Sequence, residues 1–470
     1  MSMVDHMKYK LTPIEIPAED PFRFDALNRR PSVEALSRLV DELQGPFVLA
    51  IDSPWGTGKT TFVQFLMSVL RSKGYPCLYF NAWKTDFSID PMVAFLGELG
   101  TLVSNDVKNE SAFARHFQKA KKIATLLAKK AIPVVGKVAT GGILDLDSFT
   151  EKSIAEYVAS SITDAVDAYA AERALIEEFR ASLGDAIKKL SEDGKKSEII
   201  IFVDELDRCR PTYAIELLER IKHLFNIDNV IFVLSLDKEQ LHTSLGAVYG
   251  KDIHSDEYLR RFIDLEYLLP RPNAESFTNS LFSRFEFDKF FEKRTHSDLH
   301  NEKENLIKAF VALSEIFNLS LRAREQCFTR IRVAIMATPE NHYLFPHLLT
   351  ILTVLRVGAP TAYRQYALEG GSAKELVEHL KTLKGGIEML DTHFGAVTEA
   401  YLIAARSHWR DKSSELQEYE AISNDASRPA VERERAGMIA KVVSDMSFRN
   451  SNPSLSYVVN KLELAAQFKQ

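Results

Sequence analysis

Apolar and polar positions fall into two regimes that meet near residue 270. Before that point, short apolar runs end at turn residues or acids, and stretches of helical period separate them. "PFVLAID" (46–52) is the first run, ending where a Gly-rich turn begins, as a buried strand should. "TTFVQFLMSVLRSKG" (60–74) follows, with Phe62, Phe65, Leu66 and Val69 on one helical face and Gly74 as a stop. The strand signature returns at "PCLYFNAW" (76–83), "SEIIIFVDELD" (197–207), "NVIFVLSLD" (229–237) and "IDLEYLLP" (263–270), with the last two read as buried. Between them, "PTYAIELLERIKHLFN" (211–226) repeats Ala214, Leu217, Leu218, Ile221, Leu224 and Phe225 at helical spacing, with Pro211 in the first turn. Strands alternating with helices predict a parallel sheet covered on both faces.

Residues 91–103 read as a helix, and 104–195 as a charged, alanine-rich helical insertion with turn material near 133–148. Within it, Lys129, Lys130, Lys137, Pro133, Gly141 and Gly142 interrupt the apolar stretch 121–146. No uncharged run there approaches the ~18 residues a spanning helix needs, so no transmembrane segment is expected. After "RPNAES" (271–276), a linker by composition, the strand signals stop and the remainder reads as helices.

Composition narrows this picture. A chain of 470 residues has room for two or three domains. A net charge of -6 offers no global field for nucleic acid, although Arg322, Arg324, Arg330 and Arg332 concentrate in "RAREQCFTRIR" (322–332). Cys77, Cys209 and Cys327 have neither metal spacing nor the numbers for a disulfide framework, which fits a reducing cytoplasm. The first twenty residues lack a secretory pattern, so a cytoplasmic location is expected.

The chemistry sits in "IDSPWGTGKTTF" (51–62). It follows G-x-x-x-x-G-K-[ST], except that Ser53 replaces the first glycine. Gly56 and Gly58 permit the tight turn and close approach to phosphate, Lys59 reaches the β- and γ-phosphates, and Thr60 ligates Mg²⁺. Ser53, Trp55, Thr57 and Thr61 complete the loop expected to hold the nucleotide. Ser is small and its hydroxyl can satisfy a nearby backbone group, so the departure is tolerable. In "IIIFVDELDR", an apolar strand ends in Asp204, expected to hold Mg²⁺ directly or through water. Glu205 is the candidate to orient or activate the attacking water, with Asp207 as a rival.

With these residues in hand, "PWGTGKTTF", "YFNAW", "FVDELDRCRP" and "LLERIKHLF" resemble the KAP family of P-loop NTPases. "NVIFVLSLDKEQL" and "YLRRFIDLEYLLP" extend the resemblance over roughly 20–270. It implies an ATP- and Mg²⁺-dependent ATPase of the additional-strand class, related in layout to AAA+ proteins. It also implies that Asp207 and Arg208 belong to a D-x-D-R extension, and that Ser235 or Asp237 senses the γ-phosphate. Arg261, or Arg260 beside it, would be offered to a neighbouring subunit's nucleotide, and Arg322 would reach the nucleotide from a helical lid. Asn28 and Arg29 would lie near the adenine, and Trp83 is expected to pack against the domain.

The implied layout is an α/β P-loop core in two parts (1–103 and 196–270) around the insertion (104–195). A lid-like helical domain (271–360) and a C-terminal helical domain (361–470) follow. The implied function is a nucleotide-driven conformational or assembly switch, homo-oligomeric with ATP, read by a protein partner or effector. Bacterial members of the family suggest a setting in anti-phage defence. A nucleic-acid motor or clamp is the alternative, and a scaffold that needs nucleotide only to fold is a third reading.

Overall fold

The computed structural model describes residues 16–17, 19–88, 90–106, 112–130, 165–192, 196–406, 414–448 and 453–463. Arg29–Pro270 form the bulk of one compact unit and Arg271–Gln470 the bulk of a second.

The first unit is built on five strands: β1 (Phe47–Asp52), β2 (Cys77–Asn81), β3 (Ile199–Asp204), β4 (Val230–Leu236) and β5 (Leu265–Leu268). Their order is β2-β3-β4-β1-β5, and every pair is parallel. Alternation along the strands separates two cores. Val48, Ala50, Ile201, Val203, Phe232 and Leu234 enter one; Leu49, Ile51, Ile200, Phe202, Ile231 and Val233 enter the other. This is the expected α/β architecture with both sheet faces covered.

β5 departs from its expected burial. Leu265 and Leu268 are exposed, because β5 is an edge strand paired only with β1. An apolar run marks a strand but does not say whether it has a neighbour on each side.

The described part of the insertion is helical: Ala112–Lys130 and Ala165–Glu192, preceded by Pro91–Asp106. Phe117 and Phe179 are buried in the core of the first sheet face. The rings of Phe95 and Phe179 pack edge-on against Phe225 at 4.7 and 5.6 Å. These helices therefore complete the fold through large aromatic contacts. The turn expected near 133–148 lies outside the described residues. No described helix is long and apolar enough to cross a membrane.

Helices are the only regular elements among the described residues of the second unit. One core runs from Phe277 to Leu462, without a break between 360 and 361. Within it, Arg294 donates to the Glu302 carboxylate, which also accepts from the Leu344 and Phe345 amides at 2.9 and 3.3 Å. The arginine-rich stretch is partly consumed here. Arg324 is buried with its Nε donating to the Leu319 carbonyl at 3.1 Å, and Arg332 donates to the Phe285 carbonyl. Arg322 stays exposed at the start of the Leu321–Met336 helix.

His347 is expected to make this unit acid-sensitive. Its ring lies 5.1 Å from Tyr401 and 5.4 Å from Phe394. Burial, reinforced by the charge of His393, depresses its pKa from 6.5 to about 4. Below 6.5 the unfolded chain takes up a proton that the folded unit refuses, so stability falls as the pH drops through this window. At about pH 5 the loss is ~2 kcal/mol. Urea unfolding at pH 7 and 5 should show a smaller drop for His347→Leu than for wild type; equal drops would refute this assignment.

Candidate nucleotide site

The turn leaving β1 is fastened by its own polar groups. The Ser53 amide donates to the Leu236 carbonyl at 3.2 Å, tying the strand exit to β4. Ser53 Oγ donates to Thr57 Oγ1 at 2.8 Å, and Thr57 Oγ1 donates to the Pro54 carbonyl at 2.8 Å. The hydroxyl of Ser53 thus staples the loop from inside, and its residue is buried. Gly56 and Gly58 adopt φ of 75° and 90°, the left-handed region that a side chain would strain. Gly58 caps the Lys59–Ser72 helix without a side-chain acceptor, which leaves the helix N-terminus presented to an anion.

Arg29 supports the loop from outside. It is buried and donates to the Thr57 carbonyl at 3.1 Å and the Pro270 carbonyl at 2.6 Å. Asn28 belongs to the second unit and has φ 52°.

Parallel pairing sets Asp204 level with both Asn81 and Ser235, and Ile51 level with Ser235. The acids of β3 therefore meet the loop after β1 at the carboxyl edge of the sheet, where open α/β sheets bind ligands. Asp204 accepts from Tyr79 Oη at 2.9 Å and from the Glu205 amide at 2.9 Å. Burial, then the Asp204 charge, pushes the Tyr79 phenol up. Glu205 has a left-handed backbone, φ 61°. One of its oxygens accepts from Asn81 Nδ2 at 2.9 Å, and Arg208 holds the other.

Asp207 accepts from the Trp55 indole N–H, and Asp237 accepts from the Trp55 amide at 3.0 Å. Asp237 also caps the Lys238–Tyr249 helix. Lys59 Nζ turns back on the Ser53 and Pro54 carbonyls at 2.5 and 3.3 Å. Burial lowers the Lys59 pKa, partly offset by Asp207, Asp237 and Asp204, while burial raises that of Asp207.

Ser235 Oγ and Asp207 Oδ1 are buried without a hydrogen-bond partner among the described residues. Such atoms are costly unless something polar completes them. The donor set fits a polyphosphate with Mg²⁺: a glycine turn, a buried ammonium, the Thr60 hydroxyl and the Asp204 carboxylate. Between the two candidates at the end of β4, Asp237 is occupied by the loop and the helix cap, whereas Ser235 keeps its hydroxyl unused.

Other expected residues lie elsewhere. Arg260 and Arg261 are exposed; the Arg261 guanidinium is 5.9 Å from the Tyr258 ring centroid and joins none of the described hydrogen bonds of the loop. Trp83 was expected to pack against the domain, but it is 53% exposed, with Arg208 over its ring at 5.7 Å. It sits on a one-turn helix, Ala82–Thr85, that leaves the sheet edge, so the strand pattern misplaced it. Sequence reasoning missed Tyr79 and Asn81 as site residues. The available signal was two polar-tipped residues at alternate positions of a strand that ends beside an acidic one.

Residues 29–337 match the model of the KAP family P-loop domain. The phage T7 exclusion protein of Escherichia coli (strain K12) is 22% identical over an alignment of 337 positions that covers 68% of this chain; the chain spans 42% of that relative's length. Among solved structures, the Aeropyrum pernix ORC2 protein, described as ADPNP–ADP complexes, aligns with 90% of this chain and 95% of its own. That alignment has 12% identity and a TM-score of 0.36.

Proposed function

Because this chain belongs to the KAP family of P-loop NTPases, we propose that it binds and hydrolyses ATP and uses the cycle as a conformational or assembly switch. The observation that carries this reading is the convergence of Lys59, Asp204 and Glu205 beside two unsatisfied buried oxygens, Ser235 Oγ and Asp207 Oδ1. The loop amides and Lys59 hold the phosphates. Thr60 and Asp204 hold Mg²⁺, which supplies charge neutralisation on the phosphate oxygens. Glu205 orients and deprotonates the water, and Ser235 donates to the terminal phosphate. Hydrolysis then rests on positioning and charge.

Lys59 Nζ lies within reach of the Ser53 and Pro54 carbonyls, and exchange of these for phosphate oxygens would be the conformational signal. Arg261, exposed at the end of a helical turn, is our candidate for reaching a second subunit's nucleotide. Arg322 is the candidate contribution of the helical unit. A protein partner reads the ATP state, in a phage-exclusion setting like that named for the Escherichia coli relative.

Steady-state phosphate release tests the reading, alongside sizing with and without ATP. Wild type should turn over and enlarge with ATP, and Lys59→Ala should lose both, by ~100-fold or more in turnover. A wild type that releases no phosphate, even with its partners present, would leave only a nucleotide-dependent scaffold.

A further inference from the structure

The short turn after β2 and the acidic turn after β3 are stitched into one piece. Asn81 stands at the junction: its side-chain carbonyl accepts from the Lys84 amide at 2.9 Å, capping the Ala82–Thr85 turn, while its amide donates to Glu205. Further along, Thr85 Oγ1 and Tyr213 Oη lie 3.0 Å apart. Asp86 accepts from the Arg210 amide at 2.9 Å and from its Nε at 2.7 Å. The turn that carries Trp83 is therefore fixed relative to the segment that carries Glu205.

Arg208 closes this assembly. Its guanidinium lies over the Trp83 ring at 5.7 Å and grips Glu205 through Nη1. Its side chain is 25% exposed and that of Glu205 is 16% exposed. The pair is thus shielded more than an ordinary surface ion pair, where such contacts contribute little. Tryptophan is also the best aromatic partner for a cation. Both carboxylate oxygens of Glu205 are engaged, one by Asn81 and one by Arg208, on a backbone already held in the left-handed region. The charge of Arg208 also acts with burial to lower the Lys59 pKa.

We propose that Arg208, held on Trp83, is a positioning residue that restrains Glu205 in the resting state, and that hydrolysis requires Arg208 to let go. This rests on the reading of Glu205 as the group that activates water. A carboxylate paired with a guanidinium is turned toward that cation and binds it by charge-assisted hydrogen bonds. The grip fixes the direction of the carboxylate, so turning Glu205 onto an attacking water requires Arg208 to release it. Trp83 stabilises the restraining position of Arg208 from the solvent side, where its loss opens no cavity.

Steady-state phosphate release by the full-length chain tests this. Arg208→Gln should raise kcat about fivefold with KM within about twofold, the equivalent of ~1 kcal/mol released at the transition state. Arg208→Lys keeps the charge but not the planar fork, and should give a smaller rise. Trp83→Ala should also raise kcat, and Trp83→Phe, which keeps an aromatic face, should raise it less. Thermal unfolding checks that each variant folds; the exposed Trp83 pair carries the test if Arg208→Gln does not. Unchanged or lower kcat in folded Arg208→Gln, or in Trp83→Ala where Arg208→Gln is unfolded, overturns the proposal. The Arg208→Gln/Glu205→Gln double variant should be as slow as Glu205→Gln alone. If Glu205→Gln itself matches wild type, the reading of Glu205 has failed instead, and the Arg208 proposal falls with it.

Discussion

Glu205→Gln is expected to release phosphate at least ~100-fold more slowly than wild type while still retaining ATP, because a positioned general base contributes on that order. The substitution removes the carboxylate charge, and with it the pairing to Arg208, while keeping the side chain's size. Glutamine has the size of glutamate and keeps an oxygen for Asn81 Nδ2, which lies 2.9 Å from Glu205 Oε2. It cannot take a proton from water. Lys59, Thr60 and Asp204 are untouched, so nucleotide binding should survive. Quenched-flow phosphate release and retention of labelled ATP on a filter measure the two halves separately. A rate within a few-fold of wild type would move the base elsewhere, first to Asp207. Loss of ATP binding would instead mean that Glu205 serves the resting architecture.

The largest stability effect is expected in the second unit. The Arg294 and Glu302 side chains are only 1% and 7% exposed. Arg294 Nε also donates to the Glu340 carbonyl at 3.0 Å. Glu302 joins the Glu302–Ile316 helix to the segment at Leu344 and Phe345. Burial alone pushes the Glu302 carboxyl up, and Arg294 and the two amides oppose it. Removing one partner leaves the other buried and uncompensated, which costs ~3–5 kcal/mol. Arg294→Met should therefore lower the unfolding midpoint of this unit severely. The Arg294→Met/Glu302→Leu double variant should recover much of that loss, since an apolar replacement of both is often neutral. Calorimetry of both variants decides the matter; a single variant as stable as wild type would show that the pair is already hydrated.

Much of the first unit was legible because its chemistry is local. A glycine turn between a strand and a helix, and an apolar strand ending in acids, each declare themselves within a dozen residues. Lys59, Thr60, Asp204 and Glu205 could be named from such windows, and alternation gave the parallel sheet. β5 shows the limit: its apolar run identified a strand, while its exposure depended on having β1 as its one neighbour. Trp83 shows another, since strand period says nothing about a chain that turns into a helix one residue earlier.

The sequence by itself determined the family, the sheet class and the glycine turn between β1 and the helix after it, because these follow from residue type at short spacing. Only the tertiary structure decided which polar groups serve each other. Register set Asn81 level with Asp204 and brought its amide onto Glu205 across 124 positions of chain. It laid Arg208 on Trp83, gave Asp237 to Trp55, and left Ser235 Oγ unsatisfied. Hydrogen bonds reach about 3 Å whatever the separation along the chain, so their pairing is a property of packing.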